Sequence, residues 1–288
     1  MKVSIIAFSL ALGLMVGRGL AQQAEDEIRT QNSVYKGIVK SATSGGVAIK
    51  LSGTGNQITV PHGAIISMRV NEPKIVSEGI KAYEAGRMPE AARYLMRVLG
   101  QYQALDVEWA SKSVIYYGRA SLAVGDYENA EKAFRAFSAW YPDNEKLLAA
   151  RLGMAQIDMS KKEYEVALEK LRRIAAPFDA QLKPASKDVS YAAETYLSIS
   201  KCFEALGEYR EALDACLTAI ALYPDERIYP EATYRSGFLF ARLEDFSRAK
   251  GAFEEIAKDY PLSDFASGAR RELDTLRMRA AEEASSES

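Results

Sequence analysis

Histidine and cysteine are almost missing from this sequence: His62 is the only imidazole in 288 residues, and Cys202 and Cys216 are the only thiols. A zinc site would have to be completed by carboxylates, and a Cys/His nucleophilic pair would depend on His62 alone. An excess of charge of one sign is also lacking, with 37 Lys and Arg against 39 Asp and Glu. So even a balance gives no field that draws nucleic acid or an anionic membrane onto the whole surface, and no nucleic-acid partner is expected. The stretch Gly53 to Asn56 is glycine-rich, but no helix opens after it and no Gly-Lys-Ser/Thr is present, so it reads as a turn and not a phosphate loop. His62 falls in a Pro-x-Gly turn and reads as a surface histidine. No catalytic, cofactor-binding or metal-binding set emerges, and an enzyme is not expected. Nor is there an apolar run of the roughly 20 residues that a membrane-crossing helix needs.

The N-terminus carries a different signal. Met1 and Lys2 precede a mostly apolar run from Val3 to Val16, followed by small residues at Gly19 and Ala21 and a polar stretch from Gln22. This is the pattern of a secretory signal peptide, residues 1–21, cut after Ala21, and it predicts a periplasmic or secreted product with no membrane span after cleavage. Lys2 and Arg18 would leave with the signal, making the product more acidic. No Cys follows the apolar run, so a lipid anchor of the bacterial lipoprotein kind is not expected. Residues 22–32 read as a linker.

Residues 33–70 change character. Val34 to Lys40, Val47 to Leu51, Gln57 to Val60 and Ile65 to Val70 are short runs rich in β-branched residues, separated by Ser44-Gly45-Gly46, Gly53 to Asn56 and Pro61-His62-Gly63. Alternation bounded by Gly, Asn and Pro predicts an antiparallel meander of about four strands. The pattern is similar to a small SH3-like or Sm-like barrel. A sheet this small leaves edges to be covered, by the helices that follow or by another chain.

From about Asn71 the period becomes helical and one phrase recurs, at Gly86 to Ala91, Gly125 to Ala130, Lys162 to Ala167, Gly207 to Ala212 and Glu244 to Ala249. Its template is Gly, any, aromatic, any, any, Ala, and the alanines are spaced 39, 37, 45 and 37 residues apart. Four residues after each alanine stands Leu95, Phe134, Leu171, Cys216 or Phe253; twelve before it stands a small residue, Gly79, Gly118, Ala155, Ser200 or Gly237. Prolines close three repeats, at Pro142, Pro224 and Pro261. The template is that of the tetratricopeptide repeat, and residues 73–275 are predicted to form about five helix hairpins. Each hairpin buries its apolar face only against its neighbours, so the fold class is mainly α, a helical solenoid preceded by the small β meander. Most of the 16 Tyr then serve packing, Tyr127, Tyr164 and Tyr209 at the turns included.

The repeat ends Tyr141-Pro142-Asp143, Tyr223-Pro224-Asp225 and Tyr260-Pro261-Leu262 resemble those of bacterial cell-envelope members of the class, the outer-membrane assembly lipoproteins and the Tol-Pal coordinator. The chain departs from the former in having no lipidation Cys and from the latter in having strands where that family has a coiled coil. The resemblance implies a non-enzymatic scaffold or adaptor that binds a protein or peptide partner in the concave groove lined by the first helix of each hairpin. Projected onto that face, the register gives Tyr116, Arg119, Gln156, Lys201, Tyr234, Arg235 and Phe238 as candidate groove residues. The alternative is a self-assembling envelope protein, a homo-oligomer paired through the β segment or the end repeat.

Three local expectations complete the reading. Ala175 to Asp188, with Pro177 and Pro184, reads as a loop or hinge. Cys202 and Cys216 lie on opposite helices of one hairpin; a register that sets the small residue opposite the motif alanine displaces them by about 9 Å along the axis, which predicts two free, buried thiols. After Leu276 the helix is expected to fray, leaving 276–288 as a disordered acidic tail.

Overall fold

The computed structural model describes residues 25–180 and 188–286, and the signal read at 1–21 lies outside them. Five antiparallel strands come first: β1 Asp26–Thr30, β2 Val34–Thr43, β3 Gly46–Leu51, β4 Gln57–Val60 and β5 Ile65–Arg69. Their order is β4-β3-β2-β1-β5, so β4 and β5 are the two edges, joined covalently by a single 3-10 turn at His62–Ala64. The sheet thus has one strand more than the sequence pattern predicts, and β1 lies in the stretch expected to be linker. That strand, Asp-Glu-Ile-Arg-Thr, carries a single apolar residue and leaves no alternation to read. Ile28 is nevertheless fully buried, and the Asp26 carboxylate accepts hydrogen bonds from the backbone N–H of Val39 (2.7 Å) and of Asn71 (2.8 Å). A buried carboxylate held by backbone donors satisfies its own desolvation cost and fastens the strand. Gly37 is obligatory on β2, since a Cβ there would lie 1.9 Å from the Lys50 carbonyl oxygen.

The hairpins follow. They are α1 Lys74–Glu84 with α2 Met88–Leu95 and its short continuation α3 Arg97–Gln101; α4 Glu108–Ala123 with α5 Tyr127–Trp140; α6 Leu147–Ser160 with α7 Tyr164–Asp179; α8 Val189–Leu206 with α9 Tyr209–Leu222; and α10 Tyr229–Arg242 with α11 Phe246–Asp259. A last helix, α12 Ala266–Ser286, stacks on α11. Each motif alanine is fully buried, and the motif aromatic opens α5, α7, α9 and α11. The Gly of the motif sits where the chain turns from one helix to the next: Gly86, Gly125 and Gly207 have φ of 74°, 79° and 80°. Lys162 and Glu244 take the same left-handed place with φ of 64°, a conformation that costs a side-chain-bearing residue about 1–2 kcal/mol.

The core has no single centre. One cluster of buried residues runs from α1 to α6 and a second from α6 to α12. A third joins Ile28, Val47, Ile49 and Val60 of the sheet to Leu105 and Ala110 of the helical part, which covers one face of the sheet from within the chain. Two hydrogen bonds pin this junction: Trp109 Nε1 donates to the Val70 carbonyl (2.9 Å), and the Tyr141 hydroxyl to the Leu105 carbonyl (3.0 Å).

Two expected boundaries move. The helix α7 runs through Pro177 to Asp179, because Ala175 and Phe178 are both buried in the last turn and that packing outweighs the hydrogen bond proline cannot make. Pro184 lies outside the described residues. At the other end α12 does not fray at Leu276; it continues to Ser286. Its last turns hold good helix formers, and the Arg279 guanidinium lies 4.1 Å from the centre of the Phe246 ring, tying the helix to α11. None of the helices among the described residues is long and apolar enough to cross a membrane.

Candidate functional site

Successive first helices touch one another, α1 with α4, α4 with α6 and α6 with α8, while each second helix packs on the first helix of the next hairpin. The first helices therefore crowd together on the inner side of the curve. All seven candidate residues lie on this inner row, and all are half-buried.

Arg119, Gln156, Lys201 and Phe238 each directly follow the small residue of their repeat. Gln156 Nε2 donates to Glu194 Oε1 of the next hairpin at 3.0 Å, and Arg119 reaches the other oxygen of the same carboxylate at 3.8 Å. Lys201 Nζ lies 2.7 Å from Glu231 of the next hairpin. Arg235 is shared between Glu231 on its own helix (3.0 Å) and Glu204 on the preceding hairpin (2.7 Å). The face is thus laced by ion pairs that cross from one hairpin to the next, and its cations are not free anchors. Burial lowers the proton affinity of the Arg119 and Arg235 guanidinium groups, but the facing carboxylates outweigh it and raise both pKa values. For Glu231 burial works upward, yet Lys201 and Arg235 win and hold its pKa below the usual carboxylate range.

Gln156, Lys201 and Arg235 line one cleft of ≈ 540 Å³, together with Met159, Ser160, Tyr164, Ser198, Glu204 and Ala205. Tyr116 and Arg119 stand farther along the face, where the Tyr116 ring stacks on Tyr83 at 4.0 Å. The other two are taken up in packing. Tyr234 lies against Phe253 and Phe265, and its hydroxyl sits 2.9 Å from where a Cβ on Gly268 would be. Phe238 is covered by the Arg242 guanidinium, 4.9 Å from the ring centre. A cleft whose hydrogen-bonding groups come from three consecutive hairpins can hold a polar segment across several repeats, with the partner's groups competing for pairs already present.

The carboxylates Glu194, Glu204 and Glu231 are the part of this face that sequence reasoning missed. A signal existed: Glu194 and Glu231 both stand six residues before the small residue of their repeat, the position of Lys112 in the second repeat. Lys112 pairs with Glu84 of the preceding hairpin at 2.7 Å, so this repeat position carries cross-hairpin links at three places.

The remaining candidates for chemistry are occupied. His62 Nε2 donates to the Thr43 carbonyl at 2.7 Å, and its ring lies 5.4 Å from that of Trp140, so the histidine latches the turn between β4 and β5. Cys202 and Cys216 are buried and unbridged, and burial pushes both thiols up to about 11. The expected register needs correction here: the small residue faces the residue four after the motif alanine, and Ser200 Oγ lies 3.0 Å from Cys216 Sγ. Cys202 is two positions on, roughly 200° round the helix, which turns its thiol elsewhere.

Comparison with known proteins agrees with this architecture. No curated protein matches the chain. Among solved structures, a thermophilic tetratricopeptide repeat protein from Thermus thermophilus aligns over 71% of this chain and 97% of its own with a TM-score of 0.51 at 16% identity, a likeness of fold. MamA from Desulfovibrio magneticus RS-1 aligns over 67% of this chain and 99% of its own, with a TM-score of 0.44 and 19% identity. The family model for YfiO, described as an outer membrane lipoprotein, matches residues 108–285, from α4 to the end of α12 and so well over half of the sequence. With the hairpin architecture and its buried motif positions, that match makes the chain a member of the YfiO family.

Proposed function

We propose that this protein is an exported, non-enzymatic scaffold of the bacterial cell envelope, which holds a segment of a protein partner in the cleft formed by α6, α8 and α10. Membership in a family of outer membrane lipoproteins and the signal-like N-terminus support the location in the envelope. The observation that carries the binding role is the cleft itself, where Lys201, Glu204 and Arg235 present charges of both signs beside Gln156 and Ser160. Such a surface suits a polar or charged segment whose own carboxylates and amides exchange with the internal pairs. Paired, half-buried charges keep the walls of the cleft in place before binding, which lowers the ordering cost of association.

The test uses substitutions that fill the cleft and leave its ion pairs intact. Ala205 and Ser160 are exposed on its wall. Ala205→Trp combined with Ser160→Trp is expected to abolish capture of envelope proteins by the immobilised protein, while Lys250→Trp on α11 keeps it. Identical capture by all three proteins would sink the cleft assignment.

A further inference from the structure

A second cleft, of ≈ 710 Å³, lies not in the solenoid groove but at the seam between sheet and helices. One wall is β5: Ile65, Ile66, Ser67 and Met68 all border it. Side chains of a strand alternate between its two faces, so four consecutive residues can line one cavity only if the cavity runs along the edge of the strand. That edge is open, because β5 stands at the end of the sheet and, among the described residues, pairs only with β1. An unpaired edge is a row of backbone donors and acceptors ready to accept another strand.

The opposite wall decides what could fill it. Trp140 and Tyr141 form an aromatic floor at the connection between α5 and α6, and Asp106 and Asp143 stand on the rim. Both aspartates are exposed, and among the described residues neither makes a salt bridge and no Lys or Arg lines the cleft. Ile66, 70% exposed, adds an apolar contact beside them. We infer that this cleft binds an extended polypeptide segment of another protein, in which apolar residues alternate with Lys or Arg, as an added strand on β5. The backbone edge supplies affinity and the aspartates select for basic side chains. A second copy of the chain fits poorly, because its own cleft would bring two more aspartates, Asp106 and Asp143, and no Lys or Arg to the seam.

The probe is a fluorescein-labelled seven-residue peptide alternating valine and lysine, titrated against the full protein by anisotropy. Its controls are the valine and glutamate counterpart and a version with a central proline, which removes a backbone donor. The lysine peptide is expected to bind at least about tenfold more tightly than either control, and Asp106→Asn with Asp143→Asn to weaken it about three- to tenfold. Both aspartates are solvent-exposed, so the double variant should keep its circular dichroism spectrum; Ala205→Trp, in the other cleft, should bind the peptide like the unaltered protein. No binding, equal binding of the glutamate or proline peptide, or indifference to the two substitutions overturns the inference. So does light scattering that reports a dimer which the lysine peptide breaks, since a second copy would then be the occupant of the edge.

Discussion

Phe134 sits at the seam between the second and third hairpins, and it offers the sharpest test of how the solenoid is held. Gly118 on α4 and Gly153 on α6 both face its ring. A Cβ on Gly153 would come within 2.3 Å of Cζ and 2.4 Å of Cε2, and one on Gly118 within 2.6 Å of Cε1. Carbon atoms rest at about 3.5–4.0 Å, so Gly153→Ala forces the ring to move by more than an ångström. The ring is fully buried and hemmed in on its other side by Gly118, which leaves it nowhere to go. Overpacking of this kind costs about 1–3 kcal/mol, and the two-sided confinement places Gly153→Ala near the top of that range. Phe134→Leu removes the colliding atoms and by itself should cost about 1–2 kcal/mol, less than the 3–5 of a change to alanine. In the double variant the clash is gone, so the combined loss should fall short of the sum by about 1–2 kcal/mol. Urea titrations of the four proteins, followed by circular dichroism at the helix band, read this directly. Gly153→Ala within about 0.5 kcal/mol of the unaltered protein, or strictly additive losses, would refute the packing argument.

Three further outcomes follow from the geometry. Lys162→Gly and Glu244→Gly relieve left-handed backbone at a gain of about 1–2 kcal/mol, offset by the greater chain entropy of glycine, so each should stabilise by about 0.5 kcal/mol; a lower urea midpoint for both would contradict it. Asp225, held by Arg227 and Ser190, and Glu231, held by Lys201 and Arg235, have pKa values below those of the unfolded chain. Their stabilisation is therefore fully present above the unfolded values and is lost as pH falls through the folded ones, so the melting temperature should be flat down to about pH 5 and drop below about pH 4.5. Asp225→Asn with Glu231→Gln should flatten that drop, and an unchanged acid limb in the double variant would show that these pairs do not matter. Cys202 and Cys216 should ignore an aromatic disulfide reagent at pH 8 until denaturant is added, when two thiols react; release of a thiol signal from the native protein would contradict their burial.

What the sequence made legible was whatever repeats. The alanines and small residues of the five motifs are buried as their spacing required, because a residue that must fit between two close helices leaves few types to choose from. Where position is set by partners distant in the chain, the pattern is silent. β1 was invisible because its only apolar residue is Ile28 and its anchor is Asp26, a charged residue whose role depends on backbone donors at Val39 and Asn71. The end of α12 was misread for a related reason, since Arg279 is held by Phe246 of another helix. In the cleft, the cations and the positions of Glu194 and Glu231 follow the repeat register, but which cation meets which carboxylate across hairpins appears only when the stacking is known. Tyr234 shows the converse: it has the type and register position of a groove anchor, and the glycine that lets it pack inward, Gly268, lies two helices on, in α12.

The central claim is that a protein segment lies along the inner face of α6, α8 and α10. Photo-crosslinking tests it most directly, with a benzoylphenylalanine placed singly at Ser160 or Ala205 on the cleft and at Val166 or Lys250 on second helices, all four positions being exposed. Irradiation in intact cells should give covalent adducts of one common partner from the two cleft positions and none from Val166 or Lys250. Adducts only from the second helices, or equally from all four, would contradict the account.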